Sequence, residues 1–262
     1  MTAYRTLFMN LAKALSAPLF AAALVSCAAA GGGNAISLEK PNPNDINAYI
    51  DRSFISARTG DYDSAIANLN QAIKLSPHDA NIYILRGITY DHKGDLNRAI
   101  ADFNRAVKLD PHDANTYANR GIAYDHKGGF NRAIADFNQA IKLDPNDAFS
   151  YANRGNAYYR KDDFDRAIAD YSQAIKLAPY DTLAYYNRAR AYALKEDYDS
   201  AIVDFTAVID LYPIDANAHY NRGRAYAGKG DLNQAKMDFA RALQLDPKNE
   251  EALEMLLSLT KP

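Results

Sequence analysis

Several groups of residues in this 262-residue chain have types and spacings suited to chemistry. Cys27 is the only cysteine, a lone thiol at the end of an apolar run and a potential nucleophile. Asp91-His92 and Asp125-His126 each set a carboxylate beside an imidazole, as a metal site would. The stretch GRAYAGKGD at 223–231 comes close to a phosphate-cradling loop. Asn119, Asn153, Asn187 and Asn221 recur every 34 residues, each an amide able to donate and to accept. Which of these acts depends on the elements that hold them.

Arg5 and Lys13 precede the apolar run Leu15 to Val25, too short for a comfortable membrane span and followed by small residues, which is the layout of a secretory signal. Leu24-Val25-Ser26-Cys27 resembles the lipobox of bacterial lipoproteins. That resemblance implies a signal peptide over 1–26, cleavage before Cys27 and a lipid, such as palmitate, on the new N-terminus, the thiol being needed to form the thioether. Ordinary signal-peptide cleavage among Ala28 to Ala30, or a cysteine buried in a membrane anchor, are the alternatives. Removing residues 1–26 takes away two basic residues and moves the formal charge from −2 to −4. A mildly acidic body does not hold nucleic acid by charge. Residues 27–45, Ala/Gly-rich and then EKPNPND, read as a lipidated cysteine on a flexible tether.

Beyond the tether the chain is periodic. Prolines stand at 77, 111, 145, 179, 213 and 247, and the residues around them recur with the same interval of 34. A period of this size marks a stacked-repeat solenoid. The units are 46–79, 80–113, 114–147, 148–181, 182–215 and 216–249, with 250–262 as a capping helix whose Leu253, Leu256, Leu257 and Leu259 give its apolar side. Small residues recur at the eighth place (Ser53, Gly87, Gly121, Gly155, Ala189, Gly223) and alanine at the twentieth (Ala65 to Ala235), with Phe103, Phe137, Tyr171, Phe205 and Phe239 to fill the space around them. This pattern resembles the tetratricopeptide repeat. The resemblance implies an all-α fold, six helix-turn-helix repeats in a right-handed superhelix.

Helix ends are marked as well. Asp45, Asp79, Asp113, Asp147, Asp181 and Asp215 are expected to cap the first helices, and Asp63, Asn97, Asn131, Asp165, Asp199 and Asn233 the second ones. Gly60, Gly94, Gly128 and Gly230 fall where first helices end. At the seventh place, usually leucine in the family, stand Arg52, Arg86, Arg120, Arg154, Arg188 and Arg222. Asp102, Asp136, Asp170, Asp204 and Asp238 on second helices match five of them, which predicts semi-buried two-pronged pairs rather than a phosphate-gripping row.

Against this frame the catalytic candidates fade. Gly230 occupies the place of the metal-binding Ser or Thr of a phosphate loop, and no strand precedes it. Histidines on stacked repeats lie roughly 8–10 Å apart, too far for both to bind one ion. No cofactor, metal or enzyme activity is expected.

Function then falls to the surface lined by the first helices, at their second, fifth, sixth, ninth, twelfth and thirteenth places, as the family implies. Asn119, Asn153, Asn187 and Asn221 at the sixth place suit the main chain of an extended peptide, and Tyr159, Tyr186, Tyr220, Arg160, Arg190 and Arg224 share that half of the surface. The other reading of the asparagines is that each bonds its own helix. In repeats one and two, Ile50, Phe54, Ile84, Leu85 and Ile88 form an apolar patch and an alternative interface for a homodimer. The resemblance to tetratricopeptide lipoproteins implies a protein or peptide partner, assembly of pilus, secretion or cell-wall machinery, and a membrane contact through Cys27. It implies a body facing the periplasm, at the outer membrane in a bacterium with two membranes.

Overall fold

A computed structural model of the protein describes residues 44–260. Cys27, the signal segment and the tether up to residue 43 lie outside the described residues, and so do 261–262. The described chain divides at Lys127–Gly128 into two compact units. The first holds α1 (Ile46–Arg58), α2 (Tyr62–Leu75), α3 (Ala80–His92), α4 (Leu96–Leu109) and α5 (Ala114–His126). The second holds α6 (Phe130–Leu143), α7 (Ala148–Tyr159), α8 (Phe164–Leu177), α9 (Thr182–Leu194), α10 (Tyr198–Leu211), α11 (Ala216–Lys229), α12 (Leu232–Leu245) and α13 (Glu250–Thr260). Among the described residues all regular structure is helical. Odd-numbered helices up to α11 are the first helices of repeats, and even-numbered ones the second.

The close approach of two helices in a repeat depends on the small eighth place. A Cβ on Gly87 would stand 2.7 Å from the Phe103 ring, on Gly155 2.8 Å from Tyr171, and on Gly223 2.9 Å from Phe239. Alanines at the twentieth place are fully buried in all six repeats, and the four phenylalanines and Tyr171 beside them are at most 1% exposed. GRAYAGKGD dissolves into the same logic. Gly223 gives α11 room beside Phe239, a Cβ on Gly228 would stand 2.6 Å from the Tyr198 ring, and Gly230 takes φ 91° to end the helix.

The seventh-place arginines tie these helices together. Arg86, Arg154, Arg188 and Arg222 each donate through Nε and Nη2 to both carboxylate oxygens of Asp102, Asp170, Asp204 and Asp238 at 2.6–2.8 Å. Their Nη1 groups reach back to the previous repeat, to Asn70, Asn138, Ser172 and Thr206. Tyrosines at the fourth place lie under the guanidinium groups, as Tyr83 does under Arg86 at 5.7 Å and Tyr151 under Arg154 at 5.5 Å. The carboxylate hydrogen bonds raise the arginine pKa values still further, so these charges are permanent and structural. In the first repeat Asn68 replaces the aspartate and donates to the Ser64 carbonyl of its own helix. His219 stands in for the fourth-place tyrosine of the last repeat. Its Nε2 meets the Pro213 carbonyl at 3.3 Å, as the Tyr83 hydroxyl meets that of Pro77 at 3.2 Å.

First-helix caps fall as expected. Asp45, Asp79, Asp113, Asp181 and Asp215 accept backbone N–H bonds, and Asp147 takes the Ser150 hydroxyl. The second-helix caps do not. Asp61, Asp95, Asp163, Asp197 and Asp231, two residues earlier than expected, hold those N-termini, and Gly129 stands there without a side-chain bond. The reason is packing, because each helix starts on the large apolar residue at 62, 96, 130, 164, 198 or 232. Asp63, Asn97, Asn131, Asp165 and Asp199, now inside the first turn, instead receive the ammonium groups of Lys93, Lys127, Lys161, Lys195 and Lys229 from the next repeat.

The last helix differs from expectation too. Asn249 caps α13, whose face of Ala252, Met255, Leu256 and Leu259 turns inward, with Ala252 fully buried. Leu253 and Leu257 face outward, 47% and 52% exposed, so half of the expected apolar side is on the surface.

Candidate functional site

Three first helices of the second unit, α7, α9 and α11, present equivalent faces. Spacings of three and four residues put Leu183, Tyr186, Asn187, Arg190 and Leu194 on one side of α9, and Asn217, Tyr220, Asn221 and Arg224 on one side of α11. On α7 the matching residues are Asn153, Asn156 and Tyr159, with Arg160 exposed at the helix end.

The aromatic groups are anchored from below and functionalised above. The Tyr186 ring meets Phe205 edge to face at 5.5 Å, and Tyr159 meets Phe164 likewise at 5.6 Å. Tyr220 tilts against Phe239 at 5.9 Å. Burial pushes the Tyr186 phenol above its usual pKa against the pull of Arg190 and Arg224, so it stays neutral and hydrogen-bonding. Burial and a hydrogen bond to Glu251 of α13 do the same for Tyr220.

The guanidinium groups lie on these rings. Arg190 stacks over Tyr159 at 5.1 Å and Arg224 over Tyr220 at 5.8 Å, both exposed. Such stacking leaves the N–H edge of the guanidinium open to a ligand. Among the described residues neither arginine has a hydrogen-bonded carboxylate, in contrast to Arg154, Arg188 and Arg222, which are neutralised by aspartates.

The asparagines are partly committed. Asn153 Nδ2 donates to the Phe149 carbonyl at 2.8 Å, and Asn221 Nδ2 to Asn217 at 2.9 Å and to the Tyr186 hydroxyl at 2.8 Å. Asn187 Nδ2 reaches Asn156 Oδ1 at 3.2 Å. Their amide nitrogens therefore serve the fold, and what the row offers outward is carbonyl oxygen, suited to accepting from backbone N–H groups. Asn119 belongs to the first unit, where its Nδ2 likewise donates to the Asn115 carbonyl at 2.9 Å.

Asn156 is a member of this cluster that sequence reasoning missed. Its Oδ1 accepts from the Tyr171 hydroxyl at 2.8 Å as well as from Asn187. The signal was present: repeat four alone has tyrosine where four others have phenylalanine and the first has Leu69, and an amide at the ninth place where the others have phenylalanine, isoleucine or arginine. Leu183 and Leu194, 57% and 55% exposed on the same face, were missed as well.

The alternative patch is altered by the structure. Ile84 is 5% exposed and sits in a core cluster with Ile66, Tyr90 and Phe103, because the fifth place turns toward the neighbouring helix. Ile88 packs on the same cluster, Ile50 and Leu85 on a second one around Leu69 and Ile82, and Phe54 is half-buried. Ile84 is therefore core and not surface. The aspartate–histidine pairs also rearrange. His126 Nδ1 lies 3.0 Å from Asp91 Oδ1 of the previous repeat, while His92 stacks on Tyr62. Among the described residues no three His, Cys, Asp or Glu side chains gather as a metal site, and no helix is long and apolar enough to cross a membrane.

Family models described as tetratricopeptide repeat match residues 57–114, 148–181, 183–215 and 216–249, and a TPR repeat model matches 126–162. Among solved structures, the MamA protein is 30% identical, covering 66% of this chain and 94% of its own, with a TM-score of 0.60. The chain belongs to the tetratricopeptide-repeat family. YrrB, a TPR protein with an unusual peptide-binding site, is 26% identical over 71% of this chain and 96% of its own, TM-score 0.61. PilW, a widely conserved type IV pilus biogenesis factor, shares the fold at 20% identity, covering 81% of this chain and 98% of its own, TM-score 0.72. Comparison with curated proteins finds no match. A tetratricopeptide solenoid is a protein-binding scaffold, and the α7–α9–α11 face is where this one collects tyrosine, arginine and open amide oxygen together.

Proposed function

We propose that the protein is a non-catalytic scaffold of the bacterial cell envelope, held at a membrane by lipid on Cys27, that takes an extended segment of a protein partner on the α7–α9–α11 face. The observation that carries the binding half is the pair of exposed guanidinium groups, Arg190 on Tyr159 and Arg224 on Tyr220, set among the amide oxygens of Asn153, Asn187 and Asn221. Tyrosine and arginine are the types that dominate binding energy at interfaces, and amide oxygens in a row accept from a main chain whatever its side chains. The likeness to YrrB supports a peptide-binding role, and the fold shared with the pilus biogenesis factor PilW supports one in the assembly of envelope machinery such as a pilus. The anchoring half rests on the lipobox-like junction at Cys27 and on Ala28, which favours the outer membrane where there are two. Self-association through the first two repeats is the weaker reading, since Ile84 and its neighbours are engaged in core packing.

Two measurements test this. Mass spectrometry of the protein recovered from membranes is expected to find a lipidated N-terminus at Cys27, and Cys27→Ser to leave an uncleaved precursor; an unlipidated terminus at Ala30 or Gly31 contradicts the anchor. Affinity capture from detergent-solubilised membranes is expected to recover a protein that the Asn153→Ala/Asn187→Ala variant recovers poorly. Equal recovery by that variant, with loss on Phe54→Ala/Ile88→Ala, moves the interface to the first unit.

A further inference from the structure

Charge on the second unit is distributed unevenly between two kinds of arginine. At the seventh place Arg154, Arg188 and Arg222 are each saturated by an aspartate. Two residues beyond Arg188 and Arg222 on the same helices, at the ninth place of repeats five and six, Arg190 and Arg224 project into solvent with a tyrosine ring as floor and no carboxylate bonded to them among the described residues. A guanidinium so placed keeps its fork of N–H donors directed outward, and part of its side-chain entropy is already lost to the stack, which lowers the cost of binding a carboxylate.

Accepting the α7–α9–α11 face as the peptide site, we propose that it selects segments bearing two acidic side chains, two or three residues apart, one for Arg190 and one for Arg224. Equivalent positions on neighbouring helices are separated by about 8–10 Å. Residues two apart share a face of a β-extended chain at about 6.6 Å, and residues three apart share a face of a polyproline-II chain at about 9.3 Å, and the reach of the Asp or Glu and Arg side chains closes the remaining difference. Between them the backbone N–H groups pass over the oxygen atoms of Asn187 and Asn221, whose nitrogens are otherwise engaged. Leu183 and Leu194, exposed at the two ends of the α9 stripe, give apolar contact to flanking side chains. The two arginines are not equal. Glu251 reaches the Tyr220 hydroxyl beneath Arg224, so part of that charge is opposed locally, and Arg190 carries the larger share of the preference.

The test is selection of a displayed library of random twelve-residue peptides on the full-length protein. Enriched peptides are expected to show an excess of Asp/Glu pairs at spacing two or three. A synthetic peptide of that type should bind roughly ten-fold tighter than its Gln/Gln counterpart at 0.15 M salt, and the advantage should shrink in 1 M salt. Arg190→Gln should remove most of that advantage and Arg224→Gln less, read on each variant as the ratio of its affinities for the acidic and the Gln/Gln peptide. Enrichment of peptides with no acidic excess, or an acidic preference that survives the Arg190→Gln/Arg224→Gln variant, overturns the proposal while leaving the peptide site standing. Failure to enrich any peptide over the bare support overturns both.

Discussion

Arg154 grips Asp170 with two parallel hydrogen bonds, Nε to Oδ2 at 2.7 Å and Nη2 to Oδ1 at 2.6 Å, while its Nη1 holds Asn138 of the preceding repeat at 2.7 Å. One side chain thus fastens three helices, α6, α7 and α8. The carboxylate is 8% exposed and the guanidinium 19%, so removing either partner strands a half-buried charge.

Asp170→Ala is therefore expected to destabilise the protein by about 3 kcal/mol, the low end for a broken buried pair because the guanidinium keeps some water. Replacing both partners by apolar residues, Arg154→Met with Asp170→Leu, should cost less than the single change, since no charge is left unpaired. Denaturant unfolding of the three variants checks the order. A double variant less stable than Asp170→Ala would mean that the link to Asn138, not the ion pair, holds the stack.

Gly155→Ala places a methyl group 2.8 Å from the Tyr171 ring. The ring has little room to give, being 1% exposed with its hydroxyl held by Asn156. Overpacking of about 1–3 kcal/mol is expected, measured as a lower unfolding midpoint. The same shift should disturb the Tyr171–Asn156–Asn187 chain and weaken peptide binding. Repeat five already has Ala189 at this place, against a phenylalanine with no such bond. A Gly155→Ala protein of unchanged stability would contradict the account of the eighth place.

First helices end in a left-handed residue, glycine in four repeats but Asp162 (φ 58°) and Glu196 (φ 61°) in repeats four and five. A side chain there costs about 1–2 kcal/mol, offset in part by the extra freedom glycine brings to the unfolded chain. Glu196→Gly should raise stability by about 0.5–1 kcal/mol. Asp162→Gly should gain less, as short polar side chains tolerate this region better. A loss of stability in Glu196→Gly would show that its carboxylate has a role beyond the turn.

How much of this was legible in the sequence follows from what each feature depends on. The helix pairs, the glycine and alanine contacts and the arginine–aspartate grip repeat every 34 residues, so six copies spell one geometry. The second-helix caps were placed two residues late because Asp61 and Asp63, or Asp197 and Asp199, are both competent caps. Only the packing of Tyr62 and Tyr198 decides where the helix begins. The sequence sets the asparagines in a row and leaves open whether each amide bonds its own helix. A side-chain rotamer decides whether an amide nitrogen turns to the carbonyl four residues back, and composition does not record it. Ile84 was misplaced because a fifth-place side chain enters the core when aliphatic, while Tyr186 at the same place is long enough to pack its ring and still expose its hydroxyl to Asn221.

The central claim is that the α7–α9–α11 face binds a protein partner, and site-specific photo-cross-linking in living cells tests it most directly. A photoreactive residue in place of Leu183, 57% exposed on that face, is expected to trap a discrete partner, and the same residue in place of Met237, 65% exposed on α12, is expected to trap none. Arg190→Gln in the Leu183 background should reduce the trapped species. A partner caught from Met237 and not from Leu183 would contradict the account and place recognition on the second helices.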